Sequence, residues 1–258
     1  LAEREGVRRR VFCGSMCDVF EKRTNLEGAR GRLISLIHQT PNLDWLILTK
    51  RPENIEAMWD EAATDWGEPG TLAMPLENVW LGYSASTQAD LDRGSPHLLK
   101  CPAAVRFLSL EPLLEPISLS YKPGTRQHLP GRLLDEVHWV IVGGESGPGA
   151  RPCNLAWIRS IVAQCKAAGV PVFVKQLGAL PVIDYYTDED DLREQCLADN
   201  GRVWEPARGG WSPWDWRQDH YQPRPGTILE MKLHDPKGGD MDEWPEDLRV
   251  RQMPGGAE

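Results

Sequence analysis

An α/β fold assembled from about six repeated β/α units is what this sequence predicts, and three observations predict it. Six short runs rich in Val, Ile, Leu, Phe and Trp recur with starts about 26 to 34 residues apart: Val11–Met16, Trp45–Thr49, Val79–Tyr83, Val105–Leu110, Trp139–Val142 and Val172–Lys175. The runs are nearly continuous in apolar character instead of alternating, as parallel strands covered on both faces require. Segments with helical periodicity lie between them.

Taken in order, Gly28–Gln39 carries Leu33, Leu36 and Ile37 at helical spacing and is stopped by Pro41. Thr87–Arg93 opens on Thr87 as N-cap, with Asp90 at the capping-box position. Ser118–Arg132, with its Pro and Gly, reads as a loop. Leu155–Ala168 places Ile158, Ile161, Val162 and Cys165 on one face, between Asn154 as N-cap and Gly169 as C-cap. After Gly178 the rhythm stops. Asp184–Asp191 is acidic, Trp204–Trp216 holds four tryptophans among Pro and Gly, and Pro223–Pro245 is loop-like. The expected division is therefore a β/α body over residues 1–181 and an acidic, Trp-rich, irregular extension over residues 182–258 that packs on it.

Six units fit two architectures, a doubly wound open sheet or an eight-unit barrel short of its first two units, and periodicity alone does not choose between them. A chain of 258 residues is long enough to bury one large core in either form. It has no apolar stretch of membrane-span length and no signal-peptide pattern, so a cytoplasmic protein is the default expectation. The six cysteines (Cys13, Cys17, Cys101, Cys153, Cys165, Cys196) lack framework spacing and read as reduced thiols. Net charge is −9, and residues 182–258 hold 18 of the 38 acidic and 9 of the 29 basic residues, so the acidity belongs to the extension and the body is neutral. No basic stripe supports strong nonspecific DNA binding.

In both architectures chemistry belongs at the C-terminal ends of the strands. There the sequence offers Ser15 and Asp18, then Lys50 and Arg51, then Ser84, then Ser109 and Glu111, then Gly143, Gly144, Glu145 and Ser146, and last Lys175 and Gln176. Any one polar strand end marks equally well a strand leaving the core; six together suit a ring of groups at a barrel mouth. Gly143–Gly149 permits close backbone approach by an anionic or ribose-bearing ligand. Its order, G-G-x-x-G-x-G interrupted by Pro148, is neither a dinucleotide fingerprint nor a nucleophile elbow. Glu145 either holds a ribose or amino group or caps the following turn, and Glu111 is either an acid/base or the ion-pair partner of Lys50 or Lys175. Cys13 and Cys17 have C-x-x-x-C spacing, but the third position of a cluster motif is Phe20, and the six histidines show no paired spacing. No metal ligands are expected among these residues.

These segments in order resemble a phage-associated gene-product family of unknown function (thirty-seven/sixty-eight type) placed among radical-SAM-like barrels. The resemblance is carried by Ser15–Phe20, Leu46–Pro52, Asn78–Gly82, Leu110–Leu114, Val140–Gly147, Val174–Gln176 and the tail segments Lys237–Asp240 and Trp244–Arg251. It implies a parallel, TIM-like β/α barrel, here partial. Two departures stand out: Cys17 occupies a position where that family usually has Ser, and nothing here corresponds to its upstream T-W-N-P…C…C-x-x-C-Y segment. About 70 further residues would supply the two absent units and the cluster loop. The resemblance further implies S-adenosylmethionine and a 4Fe-4S cluster as cofactors of the intact protein, and radical chemistry on a substrate related to nucleic acid or nucleotides. On that reading Lys50, Glu111 and Lys175 are catalytic candidates. Gly143, Gly144, Glu145 and Ser146 would bind cofactor, and Ser15, Asp18, Arg51, Ser84 and Gln176 would bind substrate. The alternative is a non-catalytic binding or scaffold protein on a barrel fold.

Overall fold

The computed structural model describes residues 8–14, 17–66, 74–119, 133–184, 204–206, 228–231 and 233–255. Strand β1 (Arg9–Cys13) is followed by helix α1 (Glu27–Gln39), β2 (Leu43–Thr49), α2 (Ile55–Trp66), β3 (Val79–Ser84), α3 (Gln88–Lys100), β4 (Val105–Leu110) and β5 (Trp139–Gly143). Then come β6 (Cys153–Asn154), α4 (Leu155–Ala168), β7 (Val172–Gln176), β8 (Pro181–Asp184), β9 (Trp204–Pro206) and β10 (Ile228–Met231).

Local chemistry accounts for the boundaries. Asn154 accepts from the Ala156 amide at 2.9 Å and Gly169 closes α4 in the left-handed region, as the caps predicted. Thr87 accepts from the Asp90 amide at 3.1 Å while the Asp90 carboxylate accepts from the Thr87 hydroxyl, and the helix so capped runs on to Lys100, beyond the expected Arg93. Helix α2 was not expected. Its signal is present in Ile55, Met58, Trp59 and Ala62 at helical spacing behind Pro52. Strand β1 ends at Cys13, short of the expected Met16, because Gly14 turns the chain at φ +88°, where a Cβ would lie 2.3 Å from the Leu48 carbonyl oxygen.

The main sheet has six strands, all parallel, in the order β1-β2-β3-β4-β5-β7, and it curls into a half-barrel. A sequential order without reversal is not that of a doubly wound sheet and is consistent with a partial β/α barrel. A doubly wound sheet would reverse direction and place β1 inside, whereas here β1 pairs within the sheet only with β2. Right-handed crossovers that all step the same way put the helices on one face. Alternate residues of each strand (Ile47, Leu81, Leu108, Val140, Val172) join Ile34, Trp59, Leu98 and Ile158 in the larger core beneath those helices.

The other, inner face carries a separate cluster of Leu46, Trp80, Phe107, Trp139 and Ile141, with Leu48, Phe173 and Met253 against it. Gly82 makes room for it: a Cβ there would sit 2.1 Å from Phe107 Cζ. A C-terminal strap lies along the edge of this face. The Val174 amide donates to Val250 O at 2.8 Å, the Gln252 amide to Val172 O at 2.9 Å, and the Trp139 indole to Gln252 O at 2.9 Å.

The segment after Gly178, expected to be irregular, contributes strands instead. A second sheet runs β6-β8-β10-β9, and β8 crosses the expected boundary at residue 182. Most of the Trp-rich stretch and the linker from residue 120 to 132 lie outside the described residues. Among the described residues no helix is long and apolar enough to cross a membrane.

Candidate functional site at the barrel mouth

A cavity of about 540 Å³ opens at the C-terminal ends of the parallel strands. Residues from every strand of the half-barrel or its following loop line it: Asp18, Lys50, Arg51, Ser84, Glu111, Gly144, Glu145, Ser146, Lys175 and Gln176 among them. Ten of the twelve candidates read from the sequence thus converge. Gly143 does not line the cavity; its carbonyl accepts from the Leu113 amide at 2.9 Å, which fastens the Glu111–Pro112 turn to β5. Ser15 lies outside the described residues.

Three ion pairs organise the mouth. Asp18 is saturated: Oδ1 accepts from the Thr49 hydroxyl at 2.7 Å and the Phe20 amide at 3.0 Å, and Oδ2 from the Lys50 amide at 3.0 Å and Arg51 Nη1 at 2.9 Å. It stitches the β1 loop to the end of β2, and both oxygens are occupied by the protein itself. Glu111 accepts from Lys175 Nζ at 2.9 Å on both oxygens and from Gln176 Nε2 at 3.1 Å, while Gln176 also donates to Gly144 O at 3.0 Å. This triad joins β4, β5 and β7 across the sheet. Glu111 therefore pairs with Lys175, one of the two partners expected for it.

Glu145 forms a fork with Arg151, whose Nε and Nη2 donate to its two oxygens at 2.8 Å each and whose amide donates at 2.8 Å. Hydrogen bonds from the Arg151 side chain hold the Glu145 carboxyl below its usual range. The carboxylate thus clasps the ends of the Gly-rich turn, which is the turn-capping alternative for this residue. Lys50 is different. It is exposed and its ammonium has no acidic partner among the described residues.

The sequence reading passed over Arg151, Phe12 and, as a site residue, Ser109. Arg151 follows Glu145 by six positions on an irregular loop, a spacing that announces nothing. Phe12 and Ser109 had a signal in strand alternation, since each shares a face with inner-cluster or mouth residues.

Metal binding is not supported by the donor set. Among the described residues no three His, Cys, Asp or Glu side chains come together to hold an ion. Cys13, whose thiol burial pushes up, and exposed Cys17 are two thiols where a cluster needs three. Cys101, Cys153 and Cys165 are buried, with thiols pushed up to about 11, 12 and 12.

Comparison with known proteins gives a family without an assigned activity. Residues 2–223 match the family described as a protein of unknown function (DUF5131), and the chain belongs to it. No curated protein and no solved structure matches the chain.

Proposed function

We propose that this member of a family of unknown function is a radical-SAM-like protein that takes S-adenosylmethionine and a substrate of nucleotide or nucleic-acid type at the barrel mouth. The observation that carries the reading is the cavity itself. Its volume is in the range of small-molecule sites, and it sits where parallel β/α folds place their chemistry. The phage-associated resemblance supplies the cofactor and the substrate class by association.

The described residues do not fit an iron–sulfur cluster. For S-adenosylmethionine the fit is better. The turn at Gly144, Glu145 and Ser146 lines the cavity and is held in shape by bonds from the Gly144 amide to Gln176 O and from the Ala179 amide to Glu145 O, which leaves Ser146 and the edge of the turn for the ribose. In such enzymes this cofactor would supply radical hydrogen abstraction once a cluster had delivered one electron to its sulfonium, an electron that the described residues do not themselves provide. The chain's own residues bind and orient. Arg51 and Asp18 fix the β2 end, Lys175 donates to the Glu111 carboxylate at the cavity wall, and Gln176 donates to the same carboxylate and holds it in place.

A second reading, a non-catalytic binding protein, is favoured by one feature: Asp18, Glu111 and Glu145 are each already ion-paired, which leaves none of them an uncommitted base. Calorimetric titration of the full chain with S-adenosylmethionine tests the site common to both. The enzyme reading expects micromolar binding, weakened about tenfold by Glu145→Ala as the turn loses its clasp. Binding that ignores this substitution would remove the turn from the site.

A further inference from the structure

The deepest part of the mouth carries a chemistry that the reading above leaves unused. Ser84 and Ser109 are register partners on β3 and β4, and only 7% and 2% of each residue is exposed. Both line the cavity, and neither hydroxyl has a hydrogen-bond partner among the described residues. Among the described residues Ser95 carries the buried hydroxyl without a partner, whereas Ser84 and Ser109 border the open cavity, so a ligand there can accept from both hydroxyls.

Strand alternation says what surrounds them. Ser109 lies two residues beyond Phe107 and Ser84 four beyond Trp80, so both point to the inner face, directly above the aromatic cluster. Lys50 follows Thr49, the register partner of Tyr83, and so stands beside Ser84, whereas the register runs from Ser109 through Ile141 to Phe173 and leaves Lys175 two residues further on, bonded to Glu111. Ammonium groups only donate hydrogen bonds, and the mouth's carboxylates are engaged with Arg51, Lys175 and Arg151, so no free acid awaits a cationic ligand. The floor selects an acceptor bearing negative charge. On the edge strand β1, Phe12, in register with Leu46, is 43% exposed, lies 6.2 Å from Phe107 between centroids and lines the cavity, where its ring can meet a heterocycle.

We infer that the floor of the mouth is an oxyanion site, in which Ser84 and Ser109 donate to a phosphate or carboxylate of the ligand beside Lys50. The ligand is then an aromatic heterocycle that carries such a group, of mononucleotide size. This rests on the mouth being the binding site, and the test keeps the two apart.

Adenosine 5′-monophosphate, S-adenosylhomocysteine and adenosine present the same ring with a phosphate, a carboxylate and neither. Each is titrated calorimetrically into the full chain and into Ser84→Ala/Ser109→Ala and Lys50→Gln variants, whose folding is checked by thermal melting. The expected result is a loss of at least about tenfold in affinity for the anionic probes in the double variant, a loss of about tenfold in Lys50→Gln, and no change for adenosine. A larger loss for the monophosphate assigns the floor to phosphate, and a larger loss for S-adenosylhomocysteine assigns it to carboxylate. Unchanged affinity of the anionic probes in the double variant overturns the oxyanion floor; if Glu145→Ala still weakens S-adenosylmethionine, the mouth survives as the site. Absence of binding by every probe, S-adenosylmethionine included, overturns both.

Discussion

The lower and upper halves of the inner face are made by the same strands, two residues apart, and they have opposite chemistry. Phe107 gives way to Ser109, Phe173 to Lys175, Leu48 to Lys50 and Gly82 to Ser84. Below, aromatic rings pack edge to face, Trp80 on Trp139 at 6.2 Å and Trp139 on Phe173 at 6.0 Å, and the C-terminal strap lies along them. Above, hydroxyls, ammonium groups and paired carboxylates face a cavity. The difference teaches that one strand can carry apolar packing and a polar cavity wall two residues apart. The lower layer packs the inner face, and the upper layer, cross-linked by its ion pairs, lines the cavity where the proposed ligand would sit.

If so, substitutions should sort by layer. The largest effect on folding is expected from Phe107→Ala, which empties the centre of the lower cluster and should cost about 3–5 kcal/mol in urea unfolding. A loss below about 1 kcal/mol would mean that the aromatics are not holding this face. Next comes truncation after Arg249. It removes the strap's hydrogen bonds to β7 and Trp139 and the contacts of Arg251 with Phe173 and Trp244, for about 3 kcal/mol together. It also bares the β7 edge, so light scattering should report self-association.

The upper layer should behave the other way. Lys175→Met should change stability by no more than about 1 kcal/mol, because the Lys175 side chain is half exposed and its pair with Glu111 is screened. Its effect should fall on ligand affinity. Destabilisation as large as that of Phe107→Ala would erase the distinction between the layers.

The smallest effect is a titration. Arg151 holds Glu145 below the ordinary carboxylate value, so this pair contributes stability above the unfolded-state value of about 4.3 and loses it as pH falls through the lowered folded value. In Arg151→Met the Glu145 carboxyl should titrate higher, towards the ordinary value, by carbon-detected NMR. An unmoved titration would show that the fork is not formed in solution.

The same two-residue alternation explains how much of this was legible beforehand. The six strands and the capped helix α4 could be read because buried parallel strands are apolar on both faces and because Asn154 and Gly169 are strong local signals. Strand order could not, since a periodic sequence does not say whether crossovers reverse. Helix α2 was passed over although Ile55, Met58, Trp59 and Ala62 repeat with helical period, and the strands after Gly178 pair across long sequence separations that no local pattern records. In the site, the strand-end residues were found by position alone. What they do was not. That Asp18 is spent on Thr49, Lys50 and Arg51, or that Glu145 is clasped by Arg151, depends on loop geometry that spacing does not encode.

The most direct test of the mouth as a binding site is a crystal structure of the chain grown with S-adenosylmethionine. The account predicts density in the strand-end cavity, along the turn at Gly144–Ser146, with an acidic group of the ligand meeting Ser84 and Ser109. Density at another surface, with this cavity holding only solvent at saturating ligand, would contradict it.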